Sequence, residues 1–274
     1  MIIAIANQKG GVGKTKTAVN LAASLGAAER NVLLIDADPQ GNATSGYGID
    51  RKSVRLSIYD LFLGRNPEDV LLSTSLGHVK LIPSSISLAG AEVELVGVRN
   101  REFLLRKALN GIRGHYDFIL IDCPPSLGLL TLNALTAADS VLVPMQCEYY
   151  ALEGLSHLLG TIDLVRDRLN PKLSIYGILL TMFDVRNNLS SQVAAEVRNH
   201  FQELVFRTVI PRNVRLGESP SHGMPVLLYD IRSTGAQSYL NLAKEVIQYV
   251  EKSAGQGAFS PDSGPSGSDR RHVS

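Results

Sequence analysis

Reduced to apolar and polar positions, the chain repeats one alternation. A short, continuously apolar run is followed by a longer stretch in which apolar residues recur every three or four positions. The runs are IIAIAN (2–7), NVLLID (31–36), HVKLIP (78–83), DFILID (117–122), SVLVPM (140–145), LSIYGILLTMF (173–183) and LVFRTVI (204–210). Runs that are apolar at consecutive positions predict strands buried on both faces, as in a parallel sheet covered by helices. Helices are predicted at 14–28, 100–113, 126–137, 151–169, 189–203 and 235–252. In the last of these, Tyr239, Leu242, Ala243, Val246 and Val250 share one face. Strand–helix alternation over this length predicts an α/β fold, a doubly wound and mostly parallel sheet with helices on both faces.

The pattern stops near Lys252, where SAGQGAFSPDSGPSGSDRRHVS begins, rich in Ser, Gly and Pro. Residues 1–252 are therefore expected to form a single domain and 253–274 a disordered tail. A membrane-binding tail would instead be a basic amphipathic helix with bulky apolar residues. With 274 residues, 45% of them hydrophobic, the chain can bury a large core. Its net charge of +1 neither demands nor excludes an anionic partner, so contact with nucleic acid would need a local cluster. The two cysteines, Cys123 and Cys147, stand in no metal-ligand spacing and fit buried thiols in a reducing compartment. The opening MIIAIANQ lacks a basic n-region and reads as a first strand, so no signal peptide is expected. No run is long enough to cross a bilayer.

Candidate chemistry concentrates after that first strand. NQKGGVGKTKT (7–17) nearly fits the phosphate-cradling pattern G-x-x-x-x-G-K-[ST], with Gln8 in place of its first glycine. Gly10, Gly11 and Gly13 let backbone N–H groups converge on phosphate oxygens. The helix that follows adds the positive end of its dipole. In that pattern Lys14 neutralises the β- and γ-phosphates and the Thr15 hydroxyl ligates Mg²⁺. Three acids end neighbouring strands: Asp122 after DFILI, and Asp36 and Asp38 in DADPQGN. At the carboxyl ends of parallel strands they point into the crevice where ligands bind.

KGGVGKT is the deviant Walker A signature, and the chain resembles the ParA/Soj family of chromosome- and plasmid-partitioning ATPases, within the MinD-like P-loop group. The segments that carry the resemblance include LLIDADPQGNATSG, DFILIDCPPSLGLLTLNAL, LLTMFDVRNNLS and VIPRNVRLGESPSHGMPVLLYDIRSTGAQSYLNLAKE. The resemblance implies a slow, partner-stimulated ATPase with ATP and Mg²⁺ as ligands. The nucleotide would lie on Lys9, Gly10, Gly11, Val12, Gly13, Lys14, Thr15 and Lys16, with Pro211, Arg212 and Asn213 near the adenine. Lys9 would be the signature lysine, reaching the phosphates of the other subunit in an ATP-sandwich homodimer. Lys9, Lys14 and Asp38 would serve catalysis, Asp38 by orienting or activating the attacking water. Thr15 would bind Mg²⁺ directly, and Asp36 and Asp122 through water, with CPPSLG after Asp122 as a switch segment.

As partners the resemblance implies nonspecific double-stranded DNA, contacted by Arg186 and Arg215, and a ParB/Spo0J-like centromere-binding protein that stimulates hydrolysis. It implies a cytoplasmic, nucleoid-associated protein with no membrane partner. One position departs from the family pattern: Lys16 stands where a small hydroxylated residue is usual, and is expected to modify nucleotide affinity or hydrolysis without abolishing the site.

Other readings stay open on the sequence. A MinD-like membrane-recruited regulator lacks its terminal amphipathic helix here, and an iron-protein-like electron carrier lacks the paired cysteines of a bridged cluster. A regulator of transcription or replication initiation acting by protein contact fits the same residues, as does a P-loop enzyme with a small-molecule substrate. His78, His115, His157, His200, His222 and His272 form no metal spacing and read as surface or packing residues. Tyr149 and Tyr150, beside Glu148, read as core or interface packing.

Overall fold

The computed structural model describes residues 1–148 and 151–256. Its first half comprises β1 (Ile2–Ile5), α1 (Lys14–Ala27), β2 (Val32–Asp36), α2 (Asn42–Gly46), α3 (Ile58–Phe62), α4 (Pro67–Val70), β3 (Leu72–Ser73), β4 (Val79–Ile82), α5 (Leu88–Glu94) and α6 (Leu104–Leu109). The second half comprises β5 (Phe118–Asp122), α7 (Leu129–Ala137), β6 (Ser140–Gln146), α8 (Ala151–Arg168), β7 (Ser174–Thr181), α9 (Asn188–Phe201), α10 (Arg215–Glu218), α11 (Val226–Tyr229) and α12 (Thr234–Gln256). The strands form one seven-stranded sheet in the order β3-β4-β2-β5-β1-β6-β7. All neighbours are parallel except β3, which pairs antiparallel with β4 at the edge.

Why the strands are apolar at every position is visible in the packing. Successive side chains point to opposite faces, and both faces are covered. Ile2 and Ala4, Leu33 and Ile35, and Ile119 and Ile121 enter one core, capped by residues of α3 and α5–α9 such as Leu105, Leu130, Leu155 and Val197. Ile3 and Ile5, Val32 and Leu34, and Phe118 and Leu120 enter the other, closed by α1 and α12 through Leu21, Leu25, Tyr239 and Val246. Two cores on one sheet are the doubly wound arrangement expected from the sequence. Their consequence is a rigid row of strand ends: β1, β2 and β5 run side by side, with Asp36 in register with Asp122 and Ile5 beside it.

The structure corrects several boundaries. LVFRTVI does not form a strand; residues 204–210 only follow β7, with a single bridge from Ile178 to Val205. The reason is local: the Glu245 carboxylate accepts the backbone N–H groups of Arg207 (2.8 Å) and Thr208 (3.1 Å), so they are not offered to a ladder. The helix expected at 100–113 is α6 preceded by one 3₁₀ turn, and the helix expected from 126 starts at Leu129. β7 ends at Thr181 rather than 183 because Met182 adopts a left-handed conformation with φ 49°. α12 continues to Gln256, past the expected end at 252. The expected disorder beyond that helix, and Tyr149 and Tyr150, lie outside the described residues. No helix among the described residues is long and apolar enough to cross a membrane.

Candidate active site

The loop from β1 to α1 owes its shape to two glycines. Gly11 and Gly13 have φ of 75° and 90°, a region side-chain-bearing residues rarely occupy. Gly13 is the N-cap of α1 without a side-chain capping bond, leaving the backbone donors of the first turn to an outside acceptor. The loop is pinned from afar: the Thr181 hydroxyl at the end of β7 donates to the Val12 carbonyl (2.7 Å), and Val12 itself is buried. On the other side Asn7 donates to the Pro144 carbonyl (2.8 Å) and accepts from the backbone N–H of Lys9 (3.0 Å).

A cleft of about 380 Å³ opens over this loop, bounded by Gly10, Gly11, Gly13, Lys14, Thr15 and Lys16 on one side and Asp38, Gln40 and Asn42 on the other. The Lys14 ammonium is nearly buried and donates to the Lys9 carbonyl (3.0 Å). Burial lowers its pKa, while Asp122 and Asp38 act in the opposite direction. Pro211, Arg212 and Asn213 line a smaller adjoining hollow of about 80 Å³, together with Gly13 and Lys16. The phosphate-loop residues and the distant 211–213 segment, separated in sequence, are thus neighbours in space.

The acids behind the cleft divide into a committed one and an uncommitted one. Asp36 is fully buried; its Oδ2 accepts the backbone N–H and the hydroxyl of Thr44, both at 2.7 Å, and its Oδ1 accepts the N–H of Asp38 (3.3 Å). Desolvation pushes its pKa up to about 6 against those bonds. Thr44 also accepts from the Ser84 N–H (3.0 Å), and the Ser84 hydroxyl donates to the Asp38 carbonyl (2.7 Å), which fixes the loop that presents Asp38. Asp122 is equally buried, yet neither of its carboxylate oxygens has a hydrogen-bond partner. Burial, then the neighbouring Asp36, raise its pKa well above the usual carboxylate range; Thr15 and Lys14 oppose the rise without completing a hydrogen bond. An orphaned buried carboxylate facing a lysine and a threonine hydroxyl fits a cation held through water.

Not every expected residue faces this cleft. Lys9 is about half exposed and turns to an ion pair with Glu148. Arg186 and Arg215 lie elsewhere on the surface, each already paired: Arg186 forks onto Asp184 (2.9 and 2.8 Å), and Arg215 bonds Glu218 (2.8 Å) and approaches Asp230 (3.3 Å). Sequence reasoning missed Thr44, Ser84, Thr181 and Met182. The first three act through contacts 8 to 169 residues away, which no local motif announces.

Comparison with known proteins agrees with this geometry. A family model described as an AAA domain matches residues 1–175. The chain is 59% identical over 248 residues to the chromosome partitioning protein ParA of Myxococcus xanthus, covering 90% of this chain and 88% of that one. It is 58% identical over 246 residues to the sporulation initiation inhibitor protein Soj of Bacillus subtilis, covering 89% and 97%. Among solved structures it resembles a Mycobacterium smegmatis protein described as cobyrinic acid a,c-diamide synthase with bound ATP analogue and magnesium. That match has a TM-score of 0.81 and 38% identity, and covers 92% of this chain and 96% of that one. The cell division ATPase MinD of Pyrococcus furiosus superposes with a TM-score of 0.76 at 26% identity, covering 91% and 98%.

Proposed function

Since this chain belongs to the ParA/Soj family of chromosome-partitioning ATPases, we propose that it works as an ATP-built, DNA-binding homodimer released by partner-stimulated hydrolysis. The observation that carries this reading is the position of Lys9. It sits at the entrance of the phosphate loop, half exposed, and does not line its own cleft. A cation placed there can exchange Glu148 for phosphates on a second copy. A γ-phosphate recruits it more strongly than a diphosphate does, because the extra charge strengthens the charge-assisted hydrogen bond. Dimerisation then follows the nucleotide.

Within one subunit, the N–H groups of Gly10–Lys14 and the Lys14 ammonium hold the phosphates. Pro211, Arg212 and Asn213 flank the base. Thr15 and the uncommitted Asp122 suit Mg²⁺, the latter through water, with Asp36 behind them steering the loop of Asp38. Magnesium keeps several water ligands and is usually held by one or two carboxylates together with substrate phosphates, which suits this small donor set. The ion, when bound, supplies charge neutralisation to the phosphates. Asp38 is fixed by Gln40 and Ser84 at the cleft wall, where it orients the attacking water in line with the γ-phosphate. Catalysis is then mostly positioning and electrostatics.

The output of this cycle is nonspecific DNA contact through Arg186 and Arg215 on both copies. A ParB/Spo0J-like protein triggers release, and the protein resides in the cytoplasm on the nucleoid. The 1–252 segment acts as one functional domain. The test is DNA binding by Asp38→Ala with ATP, ADP or no nucleotide over a salt titration. Binding on any sequence, only with ATP and weakening steeply with salt, is the expected result. An ATP-dependent dimer that ignores DNA at low salt would move the output to a protein partner.

A further inference from the structure

The first turn of α1 carries two lysines, Lys14 and Lys16, and no acid. A cation in that position opposes the helix dipole. Lys14 is compensated by the Lys9 carbonyl and by the nearby Asp122. Lys16 has no such compensation: it takes part in none of the ion pairs among the described residues.

Its place explains what could balance it. The phosphate cleft and the Pro211–Asn213 hollow share only Gly13, Lys16 and Met182. A nucleotide with its outer phosphates over Gly10–Lys14 and its base beside Pro211–Asn213 must pass over Lys16. The portion that crosses there is the α-phosphate and ribose, which ATP and ADP have in common. The γ-phosphate lies at the other end, toward Asp38.

We propose that Lys16 is an affinity-setting residue that grips this inner, shared part of the nucleotide and so tightens ADP and ATP by the same factor. The inference rests on the nucleotide site proposed above. A contact made equally with substrate and product is uniform binding: it tightens both and leaves the ratio of their affinities unchanged. Its regulatory consequence is slow exchange of ADP for ATP. A subunit released after hydrolysis then waits before it can dimerise again.

The experiment uses the full chain, comparing wild type with Lys16→Met and Lys16→Arg. Calorimetry gives Kd for ATP, ADP and AMP with Mg²⁺, and stopped flow gives the dissociation rate of a fluorescent ADP. Lys16→Met is expected to weaken all three nucleotides by the same factor, about tenfold, the size of one charge-assisted hydrogen bond. ADP dissociation accelerates by a similar factor, and Lys16→Arg restores both to within about threefold of wild type. Unchanged affinities in Lys16→Met overturn the inference. So does a loss confined to ATP, which would place Lys16 on the γ-phosphate. Should Lys16→Met melt early, Lys16→Leu serves the same comparison. Wild-type protein that binds no ATP would remove the proposed function itself, a result distinct from either.

Discussion

The two charged regions of the molecule are built on opposite principles. Around the phosphate loop, charge is buried and left incomplete: Asp122 has no partner for either oxygen, and Lys14 sits nearly buried with only a carbonyl to bond. On the surface, Arg186 and Arg215 are each already answered by an acid two or three residues away. The first region stores unfavourable free energy that a bound ligand would relieve. The second has its charge paired in advance, so any anion there must compete with Asp184 and Glu218. A switch needs that asymmetry: a committed nucleotide step and an output that lets go.

The largest effect should come from the incomplete region. Lys14→Ala removes the cation inside the cradle and is expected to weaken ATP by about 100-fold or more, the loss of a partly desolvated charge-assisted contact. Calorimetry on the variant checks it. A loss below about threefold would mean that the backbone N–H groups alone hold the phosphates.

Asp122 should reveal the stored cost directly. Because its pKa is raised in the fold, the folded protein binds a proton that the unfolded chain releases, so this residue makes the empty protein less stable as pH rises above the ordinary value of 3.8. Asp36 acts with the same sign between 3.8 and about 6. Asp122→Asn removes the charge at nearly constant shape. Without nucleotide it is expected to gain about 1–3 kcal/mol at pH 8 and nothing at pH 4, while ATP hydrolysis is lost. Melting curves at the two pH values decide. An unstable variant at pH 8 would show that Asp122 is a structural acid.

How much of this was legible in the sequence follows from how local each feature is. The phosphate loop could be read because its glycines, Lys14 and Thr15 are contiguous and face one point in space. Among the described residues, the five helices of nine or more residues and six of the seven strands could be read because their apolar residues recur with the period of the element. The helices between 42 and 98 could not, since they are only four to seven residues long, too short for an apolar period to show. Ser57 with Asp60, a reciprocal capping box opening α3, is the clearest signal that was there to use. The run at 204–210 misled because β-branched composition reports burial, while the ladder depends on free N–H groups that Glu245 removes. Whether Asp36 or Asp122 is the uncommitted acid was equally invisible: both end apolar strands, and only the fold brings Thr44 to one of them.

Arg186 and Arg215 sharpen the comparison from the other side. In an ATP-bound dimer, replacing both by Ala should weaken DNA binding by about tenfold and lower the salt slope by about one per arginine removed in each subunit. ATP-dependent dimerisation, followed by light scattering, should persist. DNA binding at full strength would assign the contact to other residues.

The smallest effect is also the most discriminating, because it runs in the opposite direction. Asp184 takes both prongs of the Arg186 guanidinium, and the pairing holds its carboxyl down at about 2. The pair is at the surface, where such a bond contributes little to stability. If it serves instead to temper the output, Asp184→Asn should leave the melting temperature unchanged and tighten DNA by about threefold at low salt, with the gain vanishing above about 0.3 M salt as screening takes over. Fluorescence anisotropy with ATP and the hydrolysis-blocked Asp38→Ala background measures it. Unchanged binding would mean that Arg186 breaks its bond to Asp184 at no cost or never meets DNA. A single Arg186→Ala variant in the same assay separates those two outcomes, since only an arginine that touches DNA can be missed.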